Sequence, residues 1–341
     1  MRKALWTLAA ALGLSLVFTL SSGFSAWFAD RISMPLTGLI ARGTALIRWP
    51  IGEVLMVVGA PLILPLRLWA LIRRKPPKGV ALALSVVLLI YAVLWVPLCH
   101  VPGKALEAYE TWRLMKLTRT LAQQADDLRE EAAPEKEGSA ETTLLQARDA
   151  VLSLGLTDQP LSKPKFSKFP QILRTLKIAG LYAPWTGEAI VSPDEPGFTL
   201  PFLATHELAH AAGIAREDEA NYAAYLACMK GDARFQYAGT LYALRYAMDA
   251  LRGINLNKWF EIRREFTGGV RDDFTRIDDL GDAASGFSAF ADRTAEAFLR
   301  LSGQPAGLSS YTGMVNFLLS DVAIVENPKT LQREDAIQYI D

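Results

Sequence analysis

Three long apolar runs dominate the first hundred positions. Beyond them the chain turns to the mixed periodicity of amphipathic helices. The runs extend from about Ala4 to Phe28, Val54 to Ile72 and Val80 to Cys99. Each approaches or exceeds the roughly 20 apolar residues that a helix needs to cross a bilayer. The third, VALALSVVLLIYAVLWVPLC, carries no charge, which argues against a buried core helix. The second contains Pro61, Pro65 and Arg67. Prolines are tolerated in membrane helices, and Arg67 lies near an end where it can snorkel. The first follows the basic start Met1-Arg2-Lys3 and reads as an anchor. It is long for a secretory signal, and no small-x-small cleavage site follows it.

From Gly103 to Gly155 the pattern is helical, broken by a polar loop from Ala133 to Ser139. KPKFSKFP, from Lys163 to Pro170, reads as a basic linker on the membrane surface. Glu188 to Ser192 reads as a short strand, followed by a turn through Pro193 and Gly197. Helices are predicted at about Phe202–Ala212, Glu217–Lys230 and Arg234–Arg252, with more towards the C-terminus. The chain therefore divides into a transmembrane region, 1–100, and a soluble α-rich region, 101–341.

Charge orients the spans. Arg2 and Lys3 precede the first, and Arg73, Arg74, Lys75 and Lys78 lie between the second and third. The intervening loop has only Arg31, Arg42 and Arg48 as bases. The positive-inside rule puts the N-terminus and the RRKPPK loop in the cytoplasm, and everything after Cys99 on the extracytoplasmic face. Overall, 36 basic and 36 acidic residues balance, so nothing points to nucleic acid. Two separated cysteines, Cys99 and Cys228, make neither a disulfide framework nor a thiolate zinc site.

With only three histidines in 341 residues, their placement is informative. Two of them form His206-Glu207-Leu208-Ala209-His210, an H-E-x-x-H motif. Residues four apart share one helix face, so both imidazoles can reach one ion. Zinc favours such ligands and needs a third from the protein while leaving a position for water. Glu207 is placed to act as general base. Thr205 or a neighbour can cap the helix at its start, and Gly213 at its end. His100 lies at the membrane boundary and reads as interfacial. The third ligand is expected from Glu217-Asp218-Glu219. A chain reversal after Gly213 would bring Glu217 beside His210, with Glu219 the alternative. Asn221, one turn further on, would accept a hydrogen bond from a ligand imidazole.

At these residues the chain resembles the gluzincins, zinc peptidases with H-E-x-x-H followed by a separate glutamate. Glu217 to Asn221 is similar to the E-x-x-A-D form of membrane proteases of the CAAX prenyl protease and heat-shock protease type. Here Asn221 stands in place of Asp, and the gap after His210 is shorter. A longer resemblance is to a membrane family, domain of unknown function 3810. It is carried by Gly180 to Cys228, by RFQYAGTLYAL from Arg234 and by SSYTGMVNFLL from Ser309. The resemblances imply a mainly α protein, in which three transmembrane helices precede a zincin-like domain with a short β element. They imply a membrane-bound zinc metalloendopeptidase with His206, His210 and Glu217 as ligands. In zincins a strand pairs with extended substrate, and Glu188 to Ser192 is the candidate here.

Histidine is excluded as an oxyanion donor by counting. Tyr311 is the first candidate, Tyr246 its rival and Arg245 a third. Two other functions remain compatible: a membrane scaffold or sensor that binds metal without cutting, and a zinc hydrolase of non-peptide amides.

Overall fold

A computed structural model describes residues 2–59, 78–103, 110–132, 139–282 and 313–320, with isolated positions between 293 and 307. The protein is mainly helical, and its strands are few and short. The apolar region contains α1 (Arg2–Leu20), α2 (Ser22–Phe28), α3 (Met34–Ala45), α4 (Ile51–Val54), α5 (Lys78–Leu94) and α6 (Val96–Cys99). Wide π-type turns follow α2, at Ala29–Ser33, and α4, at Leu55–Gly59.

Only α1 among the described helices is long and apolar enough to cross a membrane, where three spans were expected. Its 19 residues rise about 28 Å at 1.5 Å per residue, close to the thickness of the hydrocarbon core. The first apolar run does not continue unbroken to Phe28. Ser21 leaves the helical conformation, and its hydroxyl accepts a hydrogen bond from the Phe24 N–H at 3.4 Å, so a new helix starts there. The third run is divided as well. α5 has 17 residues, and the chain breaks at Trp95 ahead of Pro97, which has no N–H to continue the ladder. The second run lies mostly outside the described residues. α1 and α5 pack lengthwise with their C-terminal ends together, since Thr19 Oγ1 lies 3.2 Å from His100 Nε2. They therefore run parallel, and both deliver the chain to the end where the rest of the protein sits.

The sheet comprises β1 (Lys165–Phe166), β2 (Gly180–Ala183) and β3 (Glu188–Val191), in the order β1-β3-β2. β3 is central, parallel to β1 and antiparallel to β2. The segment expected as a basic linker on the membrane surface thus supplies a strand instead. Its Lys165 Nζ lies 2.5 Å from the buried Glu188 carboxylate, which also accepts hydrogen bonds from the Ile51 and Gly52 N–H groups. Glu53, fully buried, accepts from the Ser167 hydroxyl and the Lys168 N–H. Both carboxylates are satisfied across the boundary, so they fasten α4 to the sheet.

Around the sheet lie α7 (Thr111–Ala132), α8 (Ala140–Ser153), α9 (Pro170–Thr175), α10 (Leu200–Ala211), α11 (Glu217–Met229), α12 (Ala233–Ile254), α13 (Leu256–Glu265), α14 (Gly268–Asp282) and α15 (Met314–Ser320). α11 is buried on nearly all sides, as its run of Ala and Tyr allows, and becomes the central helix. Tyr222 on it stacks on Phe317 of α15, with ring centres 5.1 Å apart.

α10 starts at Leu200, with Pro201 in its first turn, so Thr205 is an interior residue and not the cap. The Thr205 hydroxyl donates back to the Pro201 carbonyl at 2.9 Å. At the other end Gly213, at φ +104°, closes the helix. Its N–H donates to the His210 carbonyl at 3.0 Å, and the Ile214 N–H donates to that of Ala209 at 3.1 Å, a Schellman pair. A side chain at 213 would also come within 2.9 Å of Met34 Sδ. Gly213→Ala is accordingly expected to lower stability by about 1–2 kcal/mol, measured by urea unfolding of the full chain in detergent; an unchanged midpoint would contradict this account of the turn.

Candidate metal centre

The reversal at Gly213 sets α11 beside α10. Glu217, in the first turn of α11, then lies across from the histidine face of α10. The two imidazole Nε2 atoms are 3.2 Å apart. One Glu217 carboxylate oxygen is 3.3 Å from His206 Nε2, and the other is 3.7 Å from His210 Nε2. Among the described residues these three form a group able to hold a metal ion. Donor atoms about 2.0–2.2 Å from a tetrahedral ion would stand roughly 3.3–3.6 Å from one another; the three separations here, 3.2, 3.3 and 3.7 Å, lie near that range. Glu219, the alternative ligand, instead lies 3.2 Å from Arg216 Nε.

The imidazole orientation favours a cation as well. His210 Nδ1 lies 2.6 Å from the Ile214 carbonyl, which can only accept, so Nδ1 carries the proton. A neutral His210 then turns the lone pair of Nε2 towards His206 and Glu217, and the carbonyl contact increases the ring's basicity. Burial opposes charge on His210, but Glu217 outweighs it and holds the imidazolium up to about 9. Burial would likewise raise Glu217, yet His210 and His206 keep it well below the usual carboxylate range. The carboxylate and the two imidazoles therefore stabilise opposite charges on one another.

Glu207, also on α10, lies within electrostatic reach of the same three side chains. It is buried, and its Oε2 has no hydrogen-bond partner. Burial is the main cause that pushes it up to about 7, against the pull of His206 and His210 and with the repulsion of Glu217. An unpartnered buried carboxylate oxygen calls for a polar ligand or water. Room for the Glu207 side chain comes from Gly180 of β2, where any Cβ would lie 2.6 Å from Glu207 Oε1. A glycine inside a strand signals such a close approach, and this was the available clue to a site residue that sequence reasoning missed.

The strand expected to receive substrate is corrected by the sheet order. Both edges of β3 are occupied, so Glu188 to Ser192 has no free ladder. β1 and β2 are the edge strands, and β2 is the one that lies against α10. The Ser192 N–H donates to the Ala179 carbonyl at 2.8 Å, and alternation along an antiparallel ladder then turns the N–H and C=O of Gly180 and Tyr182 outward. The same two residues face α10. Tyr182 lies against His210, with ring centres 6.5 Å apart, and Trp95 approaches the same imidazole at 5.9 Å. Neither aromatic was expected at the site, because both come from segments distant in sequence.

Asn221 is buried one turn beyond Glu217, where it was expected, but His206 Nδ1 has no hydrogen-bond partner. The Asn221 carbonyl oxygen accepts instead from Tyr246 Oη at 3.3 Å. Helix counting placed Tyr246 level with Glu217, and the two are close enough for the carboxylate to help raise the phenol, after the larger effect of burial. Arg245, the residue before Tyr246, lies 3.8 Å from Asp278. Tyr311 lies outside the described residues. His100 contacts Thr19 at the end of α1 and takes no part in the cluster.

A sequence family described as Protein of unknown function (DUF3810) matches residues 29–319, a stretch that includes every residue of this centre. No curated protein and no solved structure matches the chain.

Proposed function

The chain belongs to the DUF3810 family, and we propose that it is a membrane-anchored zinc metallopeptidase with His206, His210 and Glu217 as ligands. The observation that carries this reading is the triangle of two Nε2 atoms and a carboxylate beside a buried, unpartnered Glu207 oxygen. Two imidazoles and a carboxylate are a donor set that zinc favours, and three protein ligands leave a position open for chemistry. A bound zinc would supply Lewis-acid polarisation of a carbonyl and a water acidified towards neutral pH. The protein's own contribution is then assigned residue by residue. Glu207 takes the proton of the attacking water. Gly180 leaves space for that carboxylate. The outward N–H and C=O groups of Gly180 and Tyr182 bind an extended peptide backbone as an added strand. Tyr246, bonded to Asn221 one turn beyond Glu217, supplies a phenol for a developing oxyanion once it releases Asn221. α1 anchors the chain, and the charge pattern puts the centre on the extracytoplasmic side.

The test is metal content of the full-length chain purified in detergent, wild type beside His206→Ala. One zinc per chain is expected in the wild type and none in the variant, with both keeping a cooperative thermal transition. Iron in place of zinc, or equal metal in the two proteins, would overturn the assignment.

A further inference from the structure

α3 presents an unusual surface. Its inner face, through Met34, Thr37, Ala41 and Thr44, is fastened to the domain. Thr44 donates to the Thr186 carbonyl at 2.9 Å, Ser162 donates to that of Ala41 at 3.2 Å, and Lys165 to that of Thr44 at 2.8 Å. Its outer face is apolar yet open: Leu36 is 41%, Leu39 64% and the following Leu46 87% exposed. A contiguous apolar face of this kind marks an interaction site.

Two features identify what covers it. The first is continuity with α1, the helix fit to cross a bilayer. Phe18 of α1 packs with Phe24 and Phe28 of α2, which in turn meet the exposed Trp27, so aromatic packing ties α1 to α2, and one short turn of chain leads from there into α3. The second is the set of interfacial residues around it. Trp27 and Trp49 are exposed at its margins, and Arg42 and Arg48 are exposed beside Leu39 and Leu46. Exposed tryptophan and arginine side chains beside an apolar face are the anchors of a membrane–water boundary. With 12 residues, α3 is about 18 Å long, too short to span the hydrocarbon core. Its bonds to the domain also keep it from aligning end to end with α1.

We propose that α3 lies in the plane of the membrane–water interface, with Leu36, Leu39 and Leu46 in the acyl-chain boundary. Met34 on its inner face packs on Gly213, three residues after His210. The candidate metal centre is then one layer of side chains from the bilayer, and its natural substrates are segments held at the membrane surface. The placement of α3 rests on the anchoring role of α1 and is independent of the metal chemistry, whereas the substrate class rests on the proposed peptidase activity.

The experiment uses the full-length chain with Cys99→Ala and Cys228→Ala, reconstituted into vesicles of three parts phosphatidylcholine to one part phosphatidylglycerol. An environment-sensitive fluorophore is attached to Leu36→Cys, Leu39→Cys or, as a depth reference within α1, Leu12→Cys. Lipids carry a nitroxide either near the headgroup or near the chain terminus. At 36 and 39 the emission should shift to the blue and be quenched more by the shallow nitroxide, whereas at 12 the deep one should dominate. Stronger deep quenching at 36 and 39 would make α3 part of a span and overturn the proposal. A blue shift without quenching would assign the face to a second copy of the chain and also overturn it. If position 12 escapes quenching too, the anchoring role of α1 falls with it.

Discussion

Glu207→Gln is expected to keep the metal and the fold while slowing peptide hydrolysis by about 10²–10⁴-fold, the usual cost of losing a general base. The substitution is nearly isosteric, so the tight approach to Gly180 is preserved. The carboxamide has no basic oxygen able to take the proton of water. Glu207 Oε2 has no hydrogen-bond partner in the fold, so its replacement breaks no hydrogen bond at that oxygen, and a thermal transition measured beside activity separates the two effects. A mixture of quenched-fluorescence peptides, incubated with full-length wild type and variant at equal zinc content, is the measurement. Equal rates would exclude Glu207 from the chemistry. No turnover by either protein would favour a chain that binds metal without cutting.

Glu217→Ala is expected to weaken zinc binding by more than the roughly 10–100-fold that loss of an outer hydrogen-bond partner costs, and Glu219→Ala is expected to change it little. Only the Glu217 carboxylate lies within 3.3 and 3.7 Å of the two imidazoles, while Glu219 is held by Arg216. Competition with a chromophoric zinc chelator gives both affinities. The reverse ranking would move the third ligand to Glu219 and require the first turn of α11 to be rebuilt.

Features with a local cause were readable in the chain. The four-residue spacing of His206 and His210 puts them on one helix face whatever surrounds the helix. Gly213 was recognisable as a stop because few other residues accept its left-handed backbone. Glu217 followed from that stop, since a helix restarting within a few residues has little choice but to fold back on its predecessor. The Thr205 cap failed for an equally local reason. The apolar residues Leu200 to Leu203 extend the helix backwards, and Pro201 suits its first turn.

The length of the apolar runs was misread because composition does not register a break that costs only one residue. Ser21 and Trp95 interrupt helices without interrupting hydropathy. Strand roles were hidden for a related reason. β3 has four residues, all buried, and β2 is equally short, so neither shows the alternation that separates an edge from a centre.

By itself, then, the sequence determined the helical character of the chain, the helix carrying His206 and His210, its end at Gly213 and the approach of Glu217. Each of these depends on contacts between residues within about a dozen positions of one another. Only the tertiary structure decided that β2 is an edge strand beside α10, that Gly180 makes room for Glu207, that Trp95 and Tyr182 wall in His210, and that α3 turns its leucines outward above Gly213. Those relations join segments up to more than a hundred residues apart, and they are settled by which surfaces pack together, a choice that no local pattern encodes.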